Sequence, residues 1–340
     1  MKRTVAIFLS LLLVCGLFGT GVAEGKTYDI VYLTPSTASS FWSQVEVGIL
    51  QAKADLEKEL GVTVNYSVVG PAEEQQTEEY IQAFENAIAQ QPSAILTATL
   101  AIDSTIPKAR EAHDAGIVLN FVNCGLGVGD DGANQDVYNE FYYCSNDTIG
   151  ELAGQAFIAA MEKEGLPIDA GTIGINMNVE NEALNHRIQA FRDYITANAP
   201  KLAMTDTYYN NNVVEKSQTN AENIIANFSD LIGMYSGNNI TSDGVCNAIR
   251  AAGLKDKFVA VGVDSDDIEI SALRDGFLSA IIVQNAYDQG YKCMANAIRT
   301  LVEGKNPETA QQVNCPPVIV TLDNIDTPDI QFMMNPTLGK

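Results

Sequence analysis

The residues of this chain best suited to chemistry are planar and polar. Asn123, Asn238, Asp264 and Gln284 each follow a short apolar run, and an aromatic pair, Phe41-Trp42, follows the first such run. A carboxylate accepts hydrogen bonds and a carboxamide both donates and accepts. Aromatic rings cover apolar surface. That repertoire suits recognition of a small polar molecule more than its chemical conversion. The chain has only two histidines, His113 and His186, and neither has a second ligand at metal-site spacing. Asp264-Ser265-Asp266-Asp267 lacks the glycine and terminal glutamate of a calcium loop. No nucleophile elbow or P-loop is present. These absences set an expectation of no enzymatic activity, no cofactor and no metal. Gly127-Val128-Gly129-Asp130-Asp131-Gly132 fits the spacing of a dinucleotide loop, but such a loop must open a helix. Here Ala133-Asn134-Gln135-Asp136 and another strand follow, so the segment reads as a surface loop.

The elements that must position these residues alternate. Asp29–Thr34, Val62–Val69, Ala94–Thr97, Ile117–Val122 and Phe141–Cys144 read as strands, separated by helical patterns at Phe41–Leu60, Glu74–Gln90 and Ile106–Ala115. Strands at Thr172–Asn176, Met204–Tyr208, Leu231–Tyr235, Phe258–Val263 and Leu278–Val283 continue the rhythm. So do helices at Ile149–Glu164, Ala183–Ala197, Glu215–Ala226, Asp243–Ala252 and Ile268–Arg274. A helix at Tyr287–Leu301 precedes a last strand, Val318–Leu322. Regular βαβ alternation predicts parallel sheets covered on both faces by helices, and near-continuous apolar strands fit double-sided burial. The length favours two such sheets. In open α/β sheets, ligands bind beyond the carboxyl ends of the strands. The candidate positions are therefore Pro35–Trp42, Asn123, Asn176–Glu182, Asn210–Asn212, Gly237–Asn239, Asp264–Asp267 and Gln284-Asn285.

The first residues form a separate unit. Lys2 and Arg3 precede an apolar run, Val5–Val14, and Gly21-Val22-Ala23 supplies small residues. This order predicts a secretory leader, residues 1–23, cleaved near Ala23, and a periplasmic or secreted chain. Ser10, Gly16, Gly19 and Thr20 leave the apolar stretch short for a bilayer span. Cys15 raises the alternative of a lipid anchor, although Val14 departs from the small residue usual before a lipidated cysteine. Losing Lys2 and Arg3 moves the net charge from −23 to −25, which repels phosphate backbones and argues against nucleic-acid binding. Five cysteines follow the leader. An oxidising compartment permits disulfides, and an odd count leaves one unpaired. Cys124 and Cys144 end consecutive strands and form the favoured pair; the alternative is five reduced thiols.

Several ordered segments carry a resemblance. Phe41-Trp42 opens the first helix, and Asn123 follows a strand. The run Glu182-Ala183-Leu184-Asn185-His186-Arg187-Ile188-Gln189-Ala190-Phe191 is helical. Tyr235-Ser236-Gly237-Asn238-Asn239, Val261-Gly262-Val263-Asp264 and Ile282-Val283-Gln284-Asn285 end strands, and Asp288-Gln289-Gly290 follows. Together, over about Tyr28 to Leu322, the chain resembles the type I periplasmic binding proteins of the ribose- and galactose-binding group, which feed ABC importers. The resemblance implies two doubly wound parallel-sheet lobes joined by a multi-strand hinge. It places residues 28–144 and 285–317 in lobe 1, and 145–284 and 318–335 in lobe 2, with crossings near Cys144-Ser145, Gln284-Asn285 and Pro317-Val318. It implies a monosaccharide ligand and permease subunits as partners of a monomeric protein. The ligand-binding set it implies is Phe41, Trp42, Ser39, Asn123, Arg187, Asn238, Asp264 and Gln284, with Asn178, Glu180 and Asn212 as further contacts. Three positions depart from the family pattern: Cys124 replaces an arginine, Val263 an aromatic and Ser39 an asparagine. A sensory binding protein of the same fold, presenting a sugar-like signal to a membrane receptor, is the alternative. A lactose-repressor-type regulator would need a DNA-binding module where this chain has its leader.

Overall fold

A computed structural model describes residues 25–127, 134–180, 182–304 and 311–339. The leader with its Ala23 cleavage site, and all but the first residue of the Gly127–Gly132 loop, lie outside the described residues.

In chain order the first part contains β1 (Thr27–Leu33), α1 (Ser40–Leu60), β2 (Thr63–Val69), α2 (Thr77–Ala89), β3 (Ala94–Thr97), α3 (Ile102–Asp114), β4 (Val118–Val122) and β5 (Glu140–Tyr143). Next come α4 (Asn146–Lys163), β6 (Thr172–Met177), α5 (Glu182–Asn198), β7 (Ala203–Tyr209), α6 (Val214–Asn227), β8 (Leu231–Ser236), α7 (Asn239–Ala252), β9 (Val259–Val263), α8 (Asp267–Arg274) and β10 (Ala280–Val283). The chain ends with α9 (Ala286–Glu303), β11 (Gln311–Asn314), β12 (Val318–Val320) and α10 (Pro328–Met334).

The strands form two six-stranded sheets, ordered β11-β5-β4-β3-β1-β2 and β12-β10-β9-β8-β6-β7. The first is parallel throughout. In the second, β12 runs antiparallel to β10, with Val283 opposite Val318, while the other pairs are parallel, so the two parallel-sheet lobes expected from the sequence are present with one antiparallel edge strand. The cause is the crossing itself. β10 runs toward the junction between the sheets, whereas β12 starts at that junction and runs away from it. The chain crosses between sheets at three places: β5 to α4, β10 to α9, and β11 to β12.

Alternation along the strands builds a core on each face. Ile30 and Tyr32 of β1 enter one cluster with Val45, Ile49 and Met294, under α1 and α9. Val31 and Leu33 enter the opposite cluster with Tyr80, Phe84 and Leu119. The second sheet repeats this division between Ile173, Ile175, Phe157 and Phe191 on one side and Met234, Ile249, Leu273 and Ile281 on the other.

Glycine sets the closest helix contacts. A Cβ on Gly48 would sit 2.1 Å from the Tyr287 carbonyl oxygen, so α1 lies against α9. A Cβ on Gly150 would sit 2.1 Å from the carbonyl oxygen of Arg187, so α4 lies against α5. No side chain fits at either approach, and the second fixes the backbone that carries Arg187.

Candidate functional site

The carboxyl ends of both sheets face a shared cleft that encloses a cavity of about 520 Å³. Phe41, Trp42, Asn123, Arg187, Asn238, Asp264 and Gln284 all line it, as do Asn178, Glu180 and Asn212. Ser39 does not. It precedes α1, and its N–H donates to Ser36 Oγ at 3.1 Å, which holds it in the loop leading into the helix rather than in the cleft.

One wall is aromatic. Phe41 and Trp42 meet edge to face, 5.0 Å between centroids and 84° between planes. The Trp42 indole N–H donates to Glu74 Oε1 at 2.6 Å, which fixes the ring against the cleft. Val179 and Leu184, from the loop after β6 and from α5, supply apolar surface in the second lobe. Val263 is fully buried in the core of that lobe, so it adds no surface here. Cys124 lines the cavity where the family pattern has an arginine.

The polar wall is a connected network. Arg187, 4% exposed, donates from Nε to Asn146 Oδ1 at 3.0 Å and from Nη1 to the Gly237 carbonyl at 2.5 Å. Asp264 accepts from Gln284 Nε2 at 2.8 Å and from the Asn239 N–H at 3.1 Å. Gln284 accepts in turn from Asn123 Nδ2 at 3.0 Å. Burial pushes the Asp264 carboxyl above its ordinary range, and the nearby Arg187 and the Gln284 amide pull back the other way. Burial also raises Glu74, with the Trp42 indole opposing and Asp264 adding repulsion.

Backbone strain marks the same places. Asn123, Asn211, Asn212 and Asp264 have positive φ angles of 61°, 56°, 58° and 84°. This region is costly for residues with a side chain and least so for Asn and Asp, and such strain gathers where backbone must present groups to a ligand. Asp264 does not cap the helix that follows. Asp266 does, in a capping box with Glu269, leaving Asp264 to the cleft. Asn238 serves twice: its Oδ1 caps α7 through the Thr241 N–H at 3.1 Å, and its Nδ2 donates to Asn212 Oδ1 at 2.9 Å.

Glu74 and Gln75 in the loop after β2, Thr99 after β3 and Asn146 after β5 also line the cavity and were not singled out from the sequence. The general rule that strand ends carry the site covers each of them; type alone did not distinguish them from surface residues. Glu74 accepts from Asn212 Nδ2 across the cleft at 3.3 Å, and Gln75 Nε2 donates to the Asn212 carbonyl at 2.9 Å. Ser40 donates to Asp266, again across the cleft. The two lobes are therefore closed on each other. Among the described residues, no group of three or more His, Cys, Asp or Glu side chains is arranged to hold a metal ion, and no helix is long and apolar enough to cross a membrane.

A family model described as periplasmic binding protein domain matches residues 30–306. The chain belongs to this family. Among its relatives, the D-apiose import binding protein of Actinobacillus succinogenes is 24% identical over 292 residues, covering 84% of this chain and 86% of that one. An ABC transporter solute-binding protein from Agrobacterium vitis, solved with bound D-fucose, is 28% identical with a TM-score of 0.76, over 89% of this chain and 98% of that one. A carbohydrate transporter solute-binding protein from Agrobacterium radiobacter, solved with D-arabinose, shares the fold at a TM-score of 0.77 and 24% identity, covering 92% and 99% of the two chains. This periplasmic binding protein thus has the type I architecture of the ribose and galactose group, in a family of extracytoplasmic solute-binding proteins that serve transport.

Proposed function

We propose that this protein captures a neutral monosaccharide between its lobes and delivers it to the permease of an ABC importer, without chemical conversion. One observation carries the reading: side chains from both lobes converge on a cavity that still holds buried, unpartnered polar atoms. Thr99 Oγ1 in lobe 1 and Asn178 Oδ1 in lobe 2 are buried without a hydrogen-bond partner, and both residues line the cavity. An unmet buried polar group costs about 1–3 kcal/mol, which a ligand's hydroxyls would recover.

The charges favour a neutral ligand. Glu74, Glu180 and Asp264 face one guanidinium, Arg187, so a carboxylate or phosphate would meet net repulsion. In this reading Phe41 and Trp42 cover the apolar face of the ring. Asp264 accepts from vicinal hydroxyls, Arg187 donates, and Asn123, Asn238 and Gln284 read the rest of the rim. The relatives named for D-apiose and D-fucose support a neutral monosaccharide. Cleavage of a leader near Ala23 and release to the periplasm as a monomer complete the proposal, with lobe 1 formed by 28–144 and 285–317 and lobe 2 by 145–284 and 318–335.

A thermal-shift panel tests it: D-apiose, D-arabinose, D-fucose, D-tagatose and D-ribose, beside polyols, nucleosides and sugar phosphates. A ligand that binds only the folded state raises the melting temperature. At least one neutral sugar should raise it and be confirmed by calorimetry at micromolar Kd or tighter. No response to any sugar, or a preference for the phosphates, would sink the reading.

A further inference from the structure

We propose that residues 328–339 form a clasp that holds the two lobes closed from outside the ligand cavity, and that Gln44 and Phe332 are positioning residues that set affinity without touching the ligand. The inference rests on closure of the lobes around a ligand and not on which ligand that is.

The segment starts in lobe 2. α10 follows β12, and its Met334 is buried in the core that holds Ile249, Leu273 and Ile281, with Ile330 and Met333 packed against the same cluster. It ends on lobe 1. Gln44 Nε2 of α1 donates to the Met334 carbonyl at 2.9 Å, and the Gly339 N–H donates to Gln51 Oε1 at 2.7 Å. Gln44 and Gln51 are seven positions apart, about two turns, so they share one face of α1. Phe332 meets Tyr287 of α9 edge to face, 4.8 Å between centroids and 73° between planes. α9 lies against α1 at Gly48, between the two glutamines, so all three anchors fall on one side of lobe 1.

The Met334 carbonyl is the joint. Besides Gln44, it accepts from Ser265 Oγ of lobe 2 at 3.4 Å. Ser265 follows Asp264, and Gln44 stands two residues after Trp42 in the same helix. A carbonyl oxygen has two lone pairs, and here one oxygen ties the helix of the aromatic wall to the loop of the site carboxylate. Gln44, Gln51, Tyr287 and Phe332 are all absent from the lining of the ligand cavity. Gln44 instead borders a narrow gap with Phe41, Asp264, Ser265 and Asp266, beside the contact that Ser40 makes with Asp266 across the cleft.

The three chain crossings persist whether the lobes are open or closed. The clasp is different. It is covalently continuous with lobe 2 and is held to lobe 1 by two hydrogen bonds and one ring contact, so opening must break those contacts. An interaction made only in the closed form shifts the population toward closure and slows ligand release. One such hydrogen bond is worth about fivefold in the equilibrium, and an aromatic pair a comparable factor.

The test uses the whole chain with Gln44→Ala, a change that suits a helix interior, and the double variant Gln44→Ala, Phe332→Ala. Stopped-flow binding of the tightest sugar of the panel should give a Kd weakened about fivefold in the single variant and about 20-fold in the double. The loss should lie in faster dissociation, with association within about twofold of wild type. A residue that only supports the fold of one lobe would not divide the two rates in this way. Small-angle scattering of the ligand-free double variant should show a larger radius of gyration than wild type. A double-variant Kd within twofold of wild type, or a loss carried by slower association, would overturn the proposal. An unchanged ligand-free radius of gyration would overturn it too, and that comparison stands even where no sugar of the panel binds.

Discussion

Asp264→Asn separates what the site does for binding from what it does for stability. Asn is nearly isosteric with Asp and tolerates the positive φ of 84° at this position. It keeps one acceptor oxygen, so it can accept from either Gln284 Nε2 or the Asn239 N–H but not from both. One neutral bond lost costs about 1 kcal/mol. The charge that disappears was itself unfavourable, since burial raises the Asp264 carboxyl above its ordinary value. A raised carboxyl means the folded state holds its proton at pH values where the unfolded chain has released it. Its contribution to stability therefore falls as pH climbs from about 4 through the folded value. The variant should lack that fall. At neutral pH the two effects nearly offset, and the ligand-free melting temperature should stay within about 3 °C of wild type. Binding should suffer instead. A charge-assisted bond to ligand is worth about 1.5–3 kcal/mol, so calorimetry with the tightest sugar of the panel should show Kd weakened roughly 10- to 150-fold. Affinity within threefold of wild type would refute the assigned role. So would an affinity loss that tracks an equal loss of stability, because that would make Asp264 a structural residue.

Trp42 is the only tryptophan and lines the cavity, so intrinsic fluorescence should change on adding a binding sugar; a flat emission at saturating ligand would place the ligand elsewhere. Glu74→Gln keeps an acceptor for the Trp42 indole but loses the carboxylate that also receives Asn212 from the facing lobe. Small-angle scattering of the ligand-free variant should show a larger radius of gyration than wild type, with affinity down about fivefold. Gly150→Ala sets a methyl into the Arg187 carbonyl at 2.1 Å and must push α5 from α4. Overpacking of this kind costs about 1–3 kcal/mol, and both melting temperature and sugar affinity should drop, unlike in Asp264→Asn.

Much of the fold is legible locally. The β3 run Ala94–Thr97 is continuous and apolar, and α1 shows its buried stripe at Val45, Ile49, Ala52 and Leu56 before Gly61 ends it in the left-handed conformation. Two elements were not legible. β11, Gln311–Asn314, is a polar edge strand with no apolar pattern; it is specified by pairing with β5 rather than by its own side chains. α10, Pro328–Met334, is short and is held by contacts such as Phe332 on Tyr287, 4.8 Å between centroids.

Within the site, the sequence pointed to the strand ends and so to Asn123, Asn238, Asp264 and Gln284. It could not show that Glu74 and Asn212 meet across the cleft, because they are 138 residues apart in the chain. Nor could it separate Ser39 from Phe41: both follow β1, and only the turn into α1 decides which one faces the cavity.

The sequence by itself determined the periodicities, the apolar strands and the residue types that stand beyond them, because backbone hydrogen bonding and burial act on near neighbours along the chain. Tertiary structure alone decided the direction of β12 and which carboxylates share a cavity with Arg187. Those outcomes depend on where two independently wound sheets meet, and a left-handed turn at Asn123 or a glycine-sized gap between α4 and α5 changes the meeting point without leaving a pattern in the chain.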